Sequence, residues 1–283
     1  MVTKSINIWY YLSMDTQIFT RDGKYLMLAF DHRGSYEKMI DPFSKEAAIE
    51  IKRQIMDAVY DQMTGVLFDL DYGYPAYLQL NKTDIKPFLL PVEKSGYTDE
   101  AGERLTEIAY TAKELKQKGA AGIKILVYFN PSYKTALKQL ATTKKVVEEC
   151  KKENMPIFLE IVNYDNENDS NKVVRSLERF LNNGIYPDVY KLEYPGSLEN
   201  AQKVTELLKP KNIPWIILTR GANFNTFVQQ LEISAEGGCV GFLAGRSLWQ
   251  EGPGLKTQEQ KDKFFKETLP NRFKQITDIV NKY

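Results

Sequence analysis

The chain has 283 residues, 43% of them hydrophobic and 12% aromatic, enough to bury one large core. Its 38 Lys and Arg and 37 Asp and Glu nearly cancel, which excludes a global field for holding nucleic acid or an anionic membrane, so an anionic ligand needs a local cluster of cations. The single histidine, His32, excludes a zinc site built from several imidazoles. No metal and no cofactor are expected; a carboxylate-only magnesium site is the one metal site the composition leaves open.

At the N-terminus the apolar run Ile8 to Leu12 is too short for a signal sequence and is soon followed by Asp15, so a cytoplasmic location is expected. Cys150 and Cys239 show no motif spacing and read as buried thiols. Residues 1–23, rich in aromatics, form an extension outside the pattern that follows. They are assigned either to plugging the bottom of the fold or to an interface in an expected homo-oligomer.

From Lys24 onward, short apolar runs alternate with amphipathic stretches. In chain order the sequence predicts strands at Tyr25–His32, Gly65–Asp71, Phe88–Glu93, Gly122–Phe129, Ile157–Val162, Val189–Tyr194, Trp215–Thr219 and Val240–Ala244. Their near-continuous apolar character suits strands covered on both faces. Helices are predicted at Ser44–Met63, with Ala48, Ile51, Ile55 and Val59 at helical spacing, and weakly at Tyr74–Asn81. Further helices are expected at Glu103–Lys118, Tyr133–Glu153, Lys172–Leu181, Leu198–Leu208, Phe224–Ala235 and Gln258–Lys282. Gly119, Gly184 and Gly237 read as left-handed helix ends. This alternation points to a single-domain (β/α)₈ barrel over residues 24–283. No glycine-rich dinucleotide fingerprint follows the first strand, which argues against an open doubly wound sheet.

Active sites of such barrels form at the C-terminal ends of the strands. There the sequence places Asp31, His32 and Arg33; Asp69 and Asp71; Glu93 and Lys94; Glu160; Lys191 and Glu193; Arg220; and Arg246, with Lys124 inside the fourth strand. Lys191, in Asp-Val-Tyr-Lys-Leu-Glu, is a desolvated amine near a second cation, Lys124, and both effects favour a neutral nucleophile. It reads equally as a structural partner of Glu160 or Glu193. Glu160 suits proton transfer, or simply balances the lysines. Thr-Arg-Gly-Ala-Asn (219–223) and Ala-Gly-Arg-Ser-Leu-Trp (244–249) put glycine and arginine where barrels often bind phosphate, although glycine there also serves backbone geometry alone. His32 reads either as scaffold or as an acid/base group.

Six segments in order resemble the class I tagatose-1,6-bisphosphate aldolase family, which includes sulfofructose-phosphate aldolases. They are Ala-Phe-Asp-His-Arg-Gly (29–34), Asp-Leu-Asp-Tyr-Gly-Tyr-Pro-Ala (69–76), Gly-Ile-Lys-Ile-Leu-Val-Tyr (122–128), Phe-Leu-Glu-Ile (158–161), Asp-Val-Tyr-Lys-Leu-Glu-Tyr-Pro (188–195) and Gly-Phe-Leu-Ala-Gly-Arg-Ser-Leu-Trp (241–249). The resemblance implies Lys191 as Schiff-base residue with Lys124 and Glu160 as catalytic partners. It implies Gly221, Gly245 and Arg246 around a substrate phosphate, and substrate contacts from Asp31 and Arg33, a set to which His32, Asp71 and Arg220 are added. His32 and Arg220 stand where that family has Gln and a small residue. Together with Leu-Pro-Val-Glu-Lys-Ser-Gly (90–96) they look more like the aldolase-like domain behind the sugar kinase of inositol catabolism, whose substrate would be 6-phospho-5-dehydro-2-deoxygluconate.

The expected activity is thus metal-free cleavage of a small phosphorylated ketose to dihydroxyacetone phosphate and an aldehyde. Two other readings compete: a metabolite-binding regulator that keeps the barrel without the chemistry, and a metal-assisted lyase or isomerase using Asp69, Asp71 and Glu93.

Overall fold

The computed structural model describes residues 15–165 and 168–283. Among them eight parallel strands close a barrel: β1 (Tyr25–Phe30), β2 (Gly65–Phe68), β3 (Phe88–Pro91), β6 (Gly122–Phe129), β7 (Ile157–Asn163), β8 (Val189–Leu192), β9 (Trp215–Ile217) and β10 (Gly241–Ala244). Two short antiparallel strands, β4 (Thr98–Glu100) and β5 (Glu103–Leu105), form a hairpin between β3 and β6. Helices α1 (Gly34–Glu37), α2 (Lys45–Val59), α3 (Gly73–Leu78), α4 (Ala112–Gln117), α5 (Ala136–Glu153) and α6 (Lys172–Asn182) accompany the first strands. The remainder are α7 (Leu198–Leu208), α8 (Phe224–Glu236), α9 (Arg246–Trp249), α10 (Gln258–Lys263) and α11 (Leu269–Asn281). None is long and apolar enough to cross a membrane.

Strand side chains alternate in direction, so each strand feeds two cores. Leu26, Leu28 and Phe30 of β1 face the helical layer, with Val66 and Phe68 of β2. Tyr25, Met27 and Ala29 face the barrel axis, with Leu67, Leu89, Phe158, Val189, Ile216 and Leu243. Phe19, in a 3₁₀ turn at Gln17–Phe19, closes this inner core from below, edge-on to Phe158 at 5.3 Å. The aromatic run that precedes it, up to residue 14, lies outside the described residues.

Three sequence expectations fail locally. The helix expected from Glu103 starts only at Ala112, where Thr111 and Glu114 form a capping box. Upstream, Ala101 and Gly102 both have positive φ, the geometry of a tight hairpin turn. The C-terminal helix is broken by a π turn at Phe264–Thr268, just before Pro270, which has no N–H to continue the ladder. Finally, the left-handed glycine after α8 is Gly238, not Gly237. Both cysteines are free and buried, Cys150 in α5 and Cys239 just before β10.

Candidate active site

Register carries the axis-facing parity upward from the inner core. Glu160 and Lys191 are direct neighbours across β7 and β8, and Lys124 lies opposite Phe158. All three side chains are buried, yet they line an open cavity of about 480 Å³ at the C-terminal mouth of the barrel. Lys191 Nζ donates to Glu160 Oε2 at 2.9 Å. Lys124 Nζ lies 2.7 Å from Asp31, 3.8 Å from Glu160, and in contact with Glu93. Glu160 therefore stands between the two ammonium groups.

These neighbours fix the charge states. Burial opposes the charge of Lys124, but Asp31, Glu93 and Glu160 outweigh it and hold the ammonium well above its usual range. Burial likewise opposes ionisation of Asp31, but Lys124 chiefly holds that carboxyl below the ordinary carboxylate range. Glu93 goes the other way: burial, reinforced by Asp31, raises its pKa against the pull of Lys124. Its Oε2 has no hydrogen-bond partner among the described residues. A permanently charged Lys124 is a poor nucleophile, so its chemistry is that of a fixed cation.

His32 is neutral. Burial lowers its pKa to about 4, with Arg246, Lys52 and Lys191 adding to the effect and Asp31 opposing it. The ring stacks edge-on to Trp249 at 5.5 Å, and its Nδ1 has no hydrogen-bond partner among the described residues.

The arginines differ in their pairing. Arg220, at positive φ, is bound to buried Glu193, which also accepts from Asn163 N at 3.0 Å and Asn163 Nδ2 at 2.8 Å. Arg33 faces Asp71 at 3.7 Å. Arg246 has neither ion pair nor side-chain hydrogen bond among the described residues. Gly221, at φ +74°, leaves room for its guanidinium, since a Cβ there would lie 3.1 Å from it. Gly245, whose missing Cβ would meet Ala29 O at 3.2 Å, completes this side of the cavity.

A family model described as DeoC/LacD family aldolase matches residues 25–251. The chain belongs to this aldolase family. Tagatose 1,6-diphosphate aldolases of Staphylococcus haemolyticus (strain JCSC1435) and Staphylococcus aureus (strain JH9) are each 27% identical to it. The matches span 94% and 93% of this chain and 93% and 92% of those proteins. Among solved structures, a Schiff-base-forming fructose-1,6-bisphosphate aldolase aligns with a TM-score of 0.65 at 18% identity, covering 93% of this chain and 97% of that one. An archaeal fructose 1,6-bisphosphate aldolase aligns at 0.67 and 18%, covering 94% and 97%. At that identity the structural likeness establishes the barrel.

Of the residues the sequence singles out in this aldolase, Asp31, His32, Arg33, Lys124, Glu160, Lys191, Arg220, Gly221, Gly245 and Arg246 all line the cavity. Asp71 does not; its half-exposed carboxylate lies behind Arg33. Nor are Asp69, Asp71 and Glu93 brought together. Asp69 is drawn to Lys52, Glu93 to Lys124, and β2 already ends at Phe68. Glu93, read in the sequence as a strand-end carboxylate and as a ligand of the metal-assisted alternative, belongs instead to the central cluster around Lys124. Tyr128, Thr219 and the Lys94–Gly96 segment also line the cavity. Tyr128 was legible by parity, two turns of the pleat beyond Lys124; the segment's place depends on the hairpin.

Proposed function

We propose that this aldolase works through an imine on Lys191 and cleaves a ketose phosphate to dihydroxyacetone phosphate and an aldehyde. The observation that carries the reading is the buried amine of Lys191 with its carboxylate Glu160 at 2.9 Å, beside a cation that is already saturated with carboxylates. In the cycle, the Lys191 amine adds to the substrate ketone. Starting from the Lys191–Glu160 ion pair, Glu160 takes one proton to free the amine for attack, and the two protons nitrogen loses in all pass by way of Glu160 to the carbinol oxygen, which leaves as water and restores the Glu160 carboxylate. The resulting cationic imine accepts the electron pair of the breaking C–C bond while Glu160 removes the proton of the adjacent hydroxyl. An aldehyde departs, and the enamine left on Lys191 is protonated and hydrolysed. Lys124 stays charged throughout and stabilises oxyanion character at the substrate oxygens.

Arg246, with no ion pair among the described residues, together with Gly221 and Gly245 suits the phosphate of the ketone half, since a part-buried guanidinium without a carboxylate is complementary to an added dianion. The names of the staphylococcal relatives make tagatose 1,6-bisphosphate the first substrate to assay. Sulfonated or carboxylated ketose phosphates and 6-phospho-5-dehydro-2-deoxygluconate come next, because the cavity also presents Arg33 and Arg220. The test is borohydride reduction in the presence of dihydroxyacetone phosphate, with peptide mass mapping. A stable adduct on Lys191 is expected. Ligand binding with no lysine trapped would overturn the imine.

A further inference from the structure

The buried face of α2 carries Ala48, Lys52, Ile55, Met56 and Val59. Lys52 is fully buried, a place a charged side chain keeps only when its hydrogens find acceptors. Its Nζ donates to Phe30 O at 2.6 Å, to His32 O at 3.0 Å and to the Asp69 carboxylate, under the faces of Phe30, Tyr36 and Tyr72. Asp69, equally buried, accepts from the backbone N–H groups of Asp71 at 2.8 Å and Tyr72 at 2.7 Å. Neither Lys52 nor Asp69 lines the cavity. The two segments they join do bear on it. Phe30 and His32 flank Asp31, whose carboxylate lies 2.7 Å from Lys124, and Arg33 follows, facing Asp71.

We propose that Lys52 is a positioning residue of this active site: its ammonium ties the end of β1 to the β2–α3 turn and thereby holds Asp31 against Lys124. The strand itself ends at Phe30, so Asp31 to Arg33 lie beyond the sheet ladder. Lys52 supplies from the neighbouring helix the donors that the ladder no longer provides. With the tie gone, Asp31 is free to swing and Lys124 loses one of its three carboxylates. The proposal rests on the reading of Lys124, Glu160 and Lys191 as the reacting centre.

The test is the double variant Lys52→Met/Asp69→Asn, which removes both charges together and leaves a side-chain oxygen for the turn N–H groups, so the fold should survive. Active sites are titrated by borohydride trapping with dihydroxyacetone phosphate, and turnover is divided by the trapped fraction. The expected result is trapping on Lys191 as in the unmodified protein, with kcat per trapped site lower by about 10- to 100-fold and a smaller change in KM. A kcat per site within about twofold of the unmodified protein would overturn the proposal and leave Lys52 a stability element only. If the double variant does not fold, Lys52→Met alone answers the question. It removes every donor of the tie, while the Asp69 carboxylate keeps the backbone N–H groups of Asp71, Tyr72 and Gly73. The same fall in kcat per site is expected, and an unchanged value is again the refutation. If the unmodified protein is not trapped on Lys191, the imine reading has failed, not the tie; the tie is then judged on turnover per folded molecule.

Discussion

Replacing Lys124 with Met is the sharpest probe of the central cluster. The ammonium is 1% exposed and is shared by Asp31, Glu93 and Glu160. Removing it leaves three carboxyl groups around an apolar side chain. Breaking a buried pair by deleting one partner costs about 3–5 kcal/mol. For a chain of 283 residues that corresponds to a melting temperature lower by about 5–8 °C at neutral pH. The pH dependence follows from Asp31. Its folded pKa is depressed below the ordinary 3.8, so its contribution to stability is fully present above that value and is lost as the pH falls below it. Without Lys124 the depression disappears and the carboxyls bind protons more readily. The gap between the two proteins should therefore be widest near neutrality and narrow toward about pH 4. Thermal melts followed by circular dichroism across this range are the assay. Equal melting temperatures at neutral pH would refute the reasoning, because they would mean the carboxylates are solvated without Lys124.

Lys191→Met should abolish both borohydride trapping and turnover, read by mass mapping and a coupled assay for dihydroxyacetone phosphate. Glu160→Gln should lower turnover by about 10²- to 10⁴-fold and also slow imine formation, so that borohydride traps Lys191 only after longer incubation, since the lost function is proton transfer at both steps. Arg246→Met should raise KM for a phosphorylated ketose by about 30- to 150-fold, the equivalent of about 2–3 kcal/mol, with a smaller effect on kcat. His32, the sole histidine, gives one imidazole signal in NMR, expected to titrate near 4. Because the neutral ring is favoured in the fold, this residue should cost stability as the pH drops from about 6.5 to about 4; a midpoint near 6.5 would contradict its burial.

The barrel was legible because its strands are short apolar runs between amphipathic stretches, and all eight fall where the periodicity puts them. The sequence ran five strands too far into the polar residues that follow, as in Tyr25–His32 against Tyr25–Phe30, whereas Gly122–Phe129 is matched and Ile157–Val162 falls one residue short of Asn163. Those overruns lie at the cavity end of the barrel, where the ladder stops and side chains are held by one another. The hairpin was missed because three-residue strands such as Glu103–Leu105 are too short to show a period, and their partner Thr98–Glu100 is wholly exposed.

Within the site, parity brought out what strands position and hid what helices position. Lys124, Glu160 and Lys191 share one face of adjacent strands, so charged residues in apolar runs were sufficient signal. Lys52 gave no such signal. On helical spacing Ile51 looked like the core residue of that turn, yet Lys52 is the more buried of the two. Its partners, two carbonyls and Asp69, lie 17 to 22 residues away in sequence and meet it only once α2 is packed against β1 and β2. The arginines show the same limit in another form. Arg33, Arg220 and Arg246 look alike as strand-end cations, and only the fold supplies Asp71 and Glu193 to the first two while leaving the third without a carboxylate among the described residues. A paired guanidinium must give up or share a carboxylate to take a ligand, whereas Arg246 gains its first counter-charge. In the proposed reading the strongest anion affinity of this cavity therefore belongs at the β9–β10 side, and discrimination between substrates to the two arginines whose carboxylates compete with the ligand.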